Sequence, residues 1–96
     1  MQIIPLQNLN FDFIITALKQ GQTIIYPTET CYGLGCDAKN EIAVEQIFSI
    51  KNRREDKPLL VLFADIQTAK KYVEWNDVIE ELTKKYWPGP LTIVAK

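Results

Sequence analysis

Four cations fall within seven residues, Lys51-Asn52-Arg53-Arg54-Glu55-Asp56-Lys57. Arg53 brings a planar fork that fits a carboxylate or phosphate, and Lys51 a mobile point charge. The stretch is therefore a candidate anion site. A solvated charged turn, with Glu55 and Asp56 neutralising their neighbours, accounts for the same residues. A second set lies in "YPTETCYGLGCDA", residues 26–38. If that segment is extended, Thr28 and Thr30 turn their hydroxyls to one side and Glu29 points to the other. Two hydroxyls beside the amides of Gly33 and Gly35 suit a small polar ligand, while threonines capping a turn are the plainer alternative. A third stretch, "WPGPLT" from Trp87 to Thr92, reads as structural: a helix stop, a rigid turn and a strand start.

Several chemistries lack their residues. There is no G-x-x-x-x-G-K-[ST] phosphate loop and no G-x-G-x-x-G fingerprint. The absence of histidine rules out a Ser-His-Asp set. Cys31 and Cys36 are the only cysteines, so a metal site would be short of soft or imidazole ligands. A disulfide across so short a loop is not expected in a cytosolic protein. The two read as small, half-buried residues on a strand.

Elements that would position these groups follow from pattern. Asn10 or Asp12 caps a helix running to about Gln20, with Phe13, Ile14, Ala17 and Leu18 on one face and Gly21 as its left-handed stop. Residues 22–26 read as a strand ended by Pro27, and 32–36 as a second extended piece. Asn40 caps a helix over Glu41–Lys51, apolar at Ile42, Val44, Ile47, Phe48 and Ile50. Pro58 opens an apolar run, Leu59–Phe63, that reads as a central strand. Asp65 starts a helix over 66–73. Asn76 starts another over 77–87, with Val78, Ile79, Leu82 and Trp87 inward. Leu91–Ala95 reads as a last strand. Helices alternating with apolar strands indicate an α/β fold.

Bulk properties agree with one soluble domain. The chain has 96 residues, 47% apolar and 24% charged, with a net charge of −1. Charge is uneven: residues 1–50 hold two lysines against five acids, and residues 51–96 hold nine bases against seven acids. That makes a local basic patch rather than a nucleic-acid-class basic protein. No apolar run suggests a membrane span or signal peptide, so the expected compartment is the cytoplasm. The sequence ends directly after an apolar strand, which reads as a fragment.

The three stretches, "YPTETCYGLGCDA", "IFSIKNRREDKPLLVLFAD" and "YWPGPLTIV", occur in an order that resembles the YrdC/TsaC-like family, the threonylcarbamoyl-AMP synthases of tRNA modification. The resemblance covers about residues 22–96 and implies an α/β fold, a twisted mixed sheet with flanking helices around a positively charged concavity. The chain would be a partial domain, 1–96, corresponding to the N-terminal portion. It also implies a reaction joining threonine, bicarbonate and ATP into threonylcarbamoyl adenylate with release of pyrophosphate, Mg²⁺ bridging the phosphates. The family's K-x-R motif falls on Lys51 and Arg53, the expected catalytic and nucleotide-binding pair, and Lys57 falls on a nucleotide contact. Threonine is expected at Thr30, with Thr28 and Tyr32. Partners implied are tRNA, a threonylcarbamoyl-transfer complex and double-stranded RNA, with no membrane.

Two departures stand out. Leu62 occupies a position where some relatives carry a threonine-contacting histidine, and the family's later S-x-N motif has no counterpart in these residues. The alternatives are a YrdC-like module that binds double-stranded RNA or tRNA without synthesis, a carbamoyl-transfer domain of the hydrogenase-maturation kind, and an inactive fragment. Alone, the 96 residues are expected to make no adenylate and to be poorly soluble.

Overall fold

A computed structural model describes residues 1–96, which fall into two units, 1–59 and 60–96. In the first unit a short 3-10 turn, Leu6–Asn8, leads to helix α1, Phe11–Lys19. The Asn10 side chain accepts from the Asp12 and Phe13 amides, satisfying two donors that the helix start leaves open. Ile14, Ala17 and Leu18 form its half-buried stripe, and Phe13, expected inward, is 50% exposed. Gly21 ends the helix at φ +83°, where a side chain would be strained. Strands β1, Ile24–Pro27, and β2, Tyr32–Gly35, then pair antiparallel with Ile24 opposite Gly35 and Pro27 opposite Tyr32.

Helix α2, Glu41–Lys51, is capped by Asn40, whose side chain accepts from the Ala43 amide. Its inward stripe is Ala43, Val44, Ile47 and Phe48. Ala43 and Ile47 are buried, whereas Ile42 and Ile50, expected to share that face, are exposed. Positions 43, 44, 47 and 48 are one helical face; 42 and 50 lie off it.

The second unit holds α3, Ile66–Lys70, and α4, Asp77–Tyr86. Asp65 and Asn76 cap them by accepting from the Thr68 and Ile79 amides. Helix α3 is shorter than the expected 66–73. In α4 the inward face is Ile79, Leu82 and Thr83; Val78, expected inward, is 65% exposed because it lies a quarter-turn away. Ala69, Ile79 and Thr83 are the buried centre of this unit. The Trp87 indole N–H donates to the Leu91 carbonyl at 2.8 Å, closing the Pro-Gly-Pro turn as its structural reading required.

Both helix and strand are present, as the α/β reading expected, but two expected strands are not formed. Residues 59–63 and 91–95 pair in no ladder. Leu60, Val61, Leu62 and Val94 are all exposed, Val94 at 96%. An apolar segment becomes a strand only when another strand meets its backbone donors and acceptors. No helix is long and apolar enough to cross a membrane.

Candidate anion site and threonine turn

The cationic stretch is built by the way α2 ends. Lys51 is the last helical residue, and Asn52 takes the left-handed conformation at φ 51°. The Asn52 amide then donates to the Ser49 carbonyl at 3.2 Å and the Arg53 amide to the Phe48 carbonyl at 2.9 Å. This pair of bonds folds the chain back over the helix end. Asparagine tolerates that backbone better than most residues. Arg53 is thereby fixed one residue past the turn, half-buried, with Lys51 exposed beside it in sequence.

The Arg53 guanidinium is partly committed. Its Nη2 donates to the Pro58 carbonyl at 3.0 Å, which closes the loop, and the Lys57 amide donates to the Arg54 carbonyl at 3.1 Å. Its Nε is buried and has no acceptor. A buried donor left open costs about 1–3 kcal/mol unless a water or another group meets it. Arg54 pairs with Asp56 at 2.7 Å on an open surface. Lys51, Arg53 and Lys57 form no ion pair. Lys51 at the end of α2, and Arg53 and Lys57 in the loop that follows, thus have no carboxylate partner.

Thr28, Thr30 and Tyr32 lie together at the β1–β2 turn, and all three are exposed. The segment is a turn, not the extended piece that would set both hydroxyls on one side. The Thr28 amide and hydroxyl both donate to the Cys31 carbonyl, and the Cys31 amide donates back to Thr28 Oγ. Thr28 is therefore occupied in holding the turn. The Thr30 hydroxyl has only the Cys31 sulfur, at 3.8 Å, and is open to a ligand. Gly33 and Gly35 admit a close approach, and what approaches is the Tyr26 ring. No hydrogen bond or ion pair joins this turn to the Lys51–Lys57 loop.

Other groups are accounted for structurally. Burial, then the Asp37 carboxylate, pushes the Cys36 thiol above its ordinary value, away from a reactive thiolate. No three His, Cys, Asp or Glu side chains are placed to hold a metal ion. In residues 60–96 the sequence reading missed a cluster on Glu80. It accepts from Trp75 Nε1 at 2.5 Å and pairs with Lys70 at 3.2 Å and Lys84 at 3.6 Å. The Trp75 bond first, then Lys70, holds its carboxyl below the ordinary range. Of its partners only Lys84 stands at a sequence spacing, four residues on, that signals a helical pair.

This α/β arrangement matches a solved structure, a double variant of Sua5 from Pyrococcus abyssi, with a TM-score of 0.74 and 35% identity, over 80% of this chain and 23% of that one. That likeness defines the class: an α/β unit of the Sua5 kind. Residues 16–96 match the profile of the Sua5/YciO/YrdC family, described as telomere recombination, and the chain belongs to that family. It is 43% identical over 88 residues to a threonylcarbamoyl-AMP synthase of Vibrio vulnificus, covering 88% of this chain and 47% of that protein. A threonylcarbamoyl-AMP synthase of Pyrococcus abyssi is 41% identical over 78 residues, 80% of this chain and 23% of its own length. The chain thus spans about half the length, or less, of these relatives.

Proposed function

We propose that this chain supplies the threonine turn and the cationic loop of an L-threonylcarbamoyladenylate synthase. The observation that carries the reading is the Arg53 guanidinium, fixed by the α2 terminus and Pro58, with a buried donor unmet and two unpaired lysines in the same loop. Such a loop suits a polyphosphate, which needs several cations and at least one oriented donor.

In the proposed reaction the threonine amine takes up carbon dioxide from bicarbonate and loses a proton, giving a carbamate. A carbamate oxygen attacks the α-phosphorus of ATP in line, and the bond to the bridging oxygen breaks as pyrophosphate leaves. Positioning and charge neutralisation do most of the work. Thr30 Oγ would hold threonine at the turn, with Tyr32 beside it and Thr28 keeping the turn closed. Lys51 and Arg53 would offset charge at the reacting phosphate, and Lys57 would contact the nucleotide. The chain offers no carboxylate cluster for Mg²⁺. The ion would enter with the substrate as MgATP. The adenylate is an activated acyl donor, which fits hand-over to a complex that modifies tRNA.

The test is a chimaera in which residues 16–96 replace the matching segment of the Vibrio vulnificus relative. With folding verified by circular dichroism, it should form threonylcarbamoyl adenylate and pyrophosphate from threonine, bicarbonate and MgATP. A folded chimaera that releases no threonine-dependent pyrophosphate would contradict the reading.

A further inference from the structure

Strand β2 is Tyr-Gly-Leu-Gly, two glycines in four residues. Glycine-rich strands specify their register weakly, and a slip of one residue turns every side chain to the opposite face. Something must therefore pin this hairpin. Tyr26 faces Gly33 directly across the ladder. A methyl group built on Gly33 would stand 2.8 Å from Tyr26 Cζ and 3.0 Å from its Oη. One built on Gly35 would stand 3.0 Å from Cε1 of the same ring. The phenol ring thus covers both glycines and fills the space that their missing side chains leave. A slip that set Leu34 or Tyr32 opposite Tyr26 would put a side chain where the ring now lies, and the ring would lose its place over the glycines. The Tyr26 hydroxyl forms no hydrogen bond, so it is the ring that matters.

The rung after Tyr26–Gly33 is Pro27–Tyr32, and the Thr28–Cys31 turn closes directly on it. Register at Tyr26 therefore decides where Thr30 is presented. We infer that Tyr26 is a positioning residue for the Thr28–Cys31 turn, pinning the hairpin register through Gly33 and Gly35 and so setting the Thr30 hydroxyl for its ligand. The inference rests on the reading that this turn takes threonine. It predicts an effect on threonine and none on the nucleotide, whose contacts lie on the Lys51–Lys57 loop.

Amide hydrogen exchange at Thr28 and Cys31, with threonine and MgATP titrations, tests this on the whole chain. Tyr26→Phe should behave as the wild type. Tyr26→Ser should speed exchange of both amides and weaken threonine binding by roughly three- to fivefold, the scale of a cross-strand aromatic contact, with MgATP binding unchanged. Gly33→Ala should do the same by displacing the ring, and Gly33→Ala with Tyr26→Ser should be no worse than Gly33→Ala alone. Unchanged exchange in Tyr26→Ser would overturn the inference. So would additive effects in the double variant, or equal losses for threonine and MgATP. If the wild-type chain binds no threonine, the threonine reading of the turn fails, while the exchange rates still decide whether Tyr26 pins the hairpin.

Discussion

In the Glu80 cluster each cation answers a carboxylate: Lys70 and Lys84 both reach Glu80, and the Lys70 ammonium also lies 5.4 Å from the Trp75 ring centroid. In the Lys51–Lys57 loop only Arg54 does so, through Asp56. The two regions put their charge to opposite uses. Glu80 links α3, α4 and the segment between them, and its cations are spent on holding residues 60–96 together. The loop after α2 is instead held by backbone bonds to Ser49 and Phe48 and by the Arg53 side chain's bond to the Pro58 carbonyl, none of which uses a carboxylate. Charge satisfied within the chain is structural, and it is the open charge of the loop that the proposed reading uses.

Breaking the loop's geometry should have the largest effect. Arg53→Lys keeps the charge and loses the fork that reaches Pro58 while offering Nε. In the chimaera, pyrophosphate release should fall roughly ten- to a hundredfold, the worth of one charge-assisted contact at about 1.5–3 kcal/mol. Near-normal release would remove the oriented role. Asn52 sharpens the same point from the backbone side. Asn52→Gly should keep both stability and activity, whereas Asn52→Ala should cost about 1 kcal/mol in the left-handed conformation, read by denaturant unfolding. Equal behaviour of the two would mean that the turn does not depend on φ 51°.

Much of the scaffold was legible because its signals are local. Asn40, Asp65 and Asn76 cap where expected, and of the two candidates Asn10 and Asp12 it is Asn10 that caps α1, since a cap needs only its own side chain and the next few amides. Gly21 stops α1 for the same kind of reason. What escaped the sequence depends on partners distant along the chain or on register. Residues 59–63 and 91–95 carry strand composition without a ladder. The glycines of β2 looked like room for a ligand until the register placed Tyr26 over them. Lys51, Arg53 and Lys57 could be picked out by type and spacing, but the unmet Nε needed the fold of the loop around Pro58.

The Glu80 cluster gives a pH signature. Its carboxyl is held below the ordinary value of about 4.3. The stability it contributes is therefore complete above that value and lost as pH falls through the lower folded value. Glu80→Gln should lower the thermal midpoint at neutral pH, and the difference from wild type should shrink on acidification over that window. A difference independent of pH would show that packing, not charge, is at work. The smallest effect is expected at Asp56→Asn, because the Arg54–Asp56 pair is well exposed, at 75% and 62%. Its unfolding free energy should stay within about 0.5 kcal/mol of wild type.

The central claim, that the Lys51–Lys57 loop holds its charges for an anion while the Glu80 cluster does not, is tested most directly by calorimetric titration of pyrophosphate into three proteins: wild type, Arg53→Lys and Lys84→Gln. Wild type and Lys84→Gln should bind alike, and Arg53→Lys should bind roughly tenfold or more weakly, as loss of an oriented charged contact requires. Equal affinity in all three, or a loss in Lys84→Gln as large as that in Arg53→Lys, would contradict it.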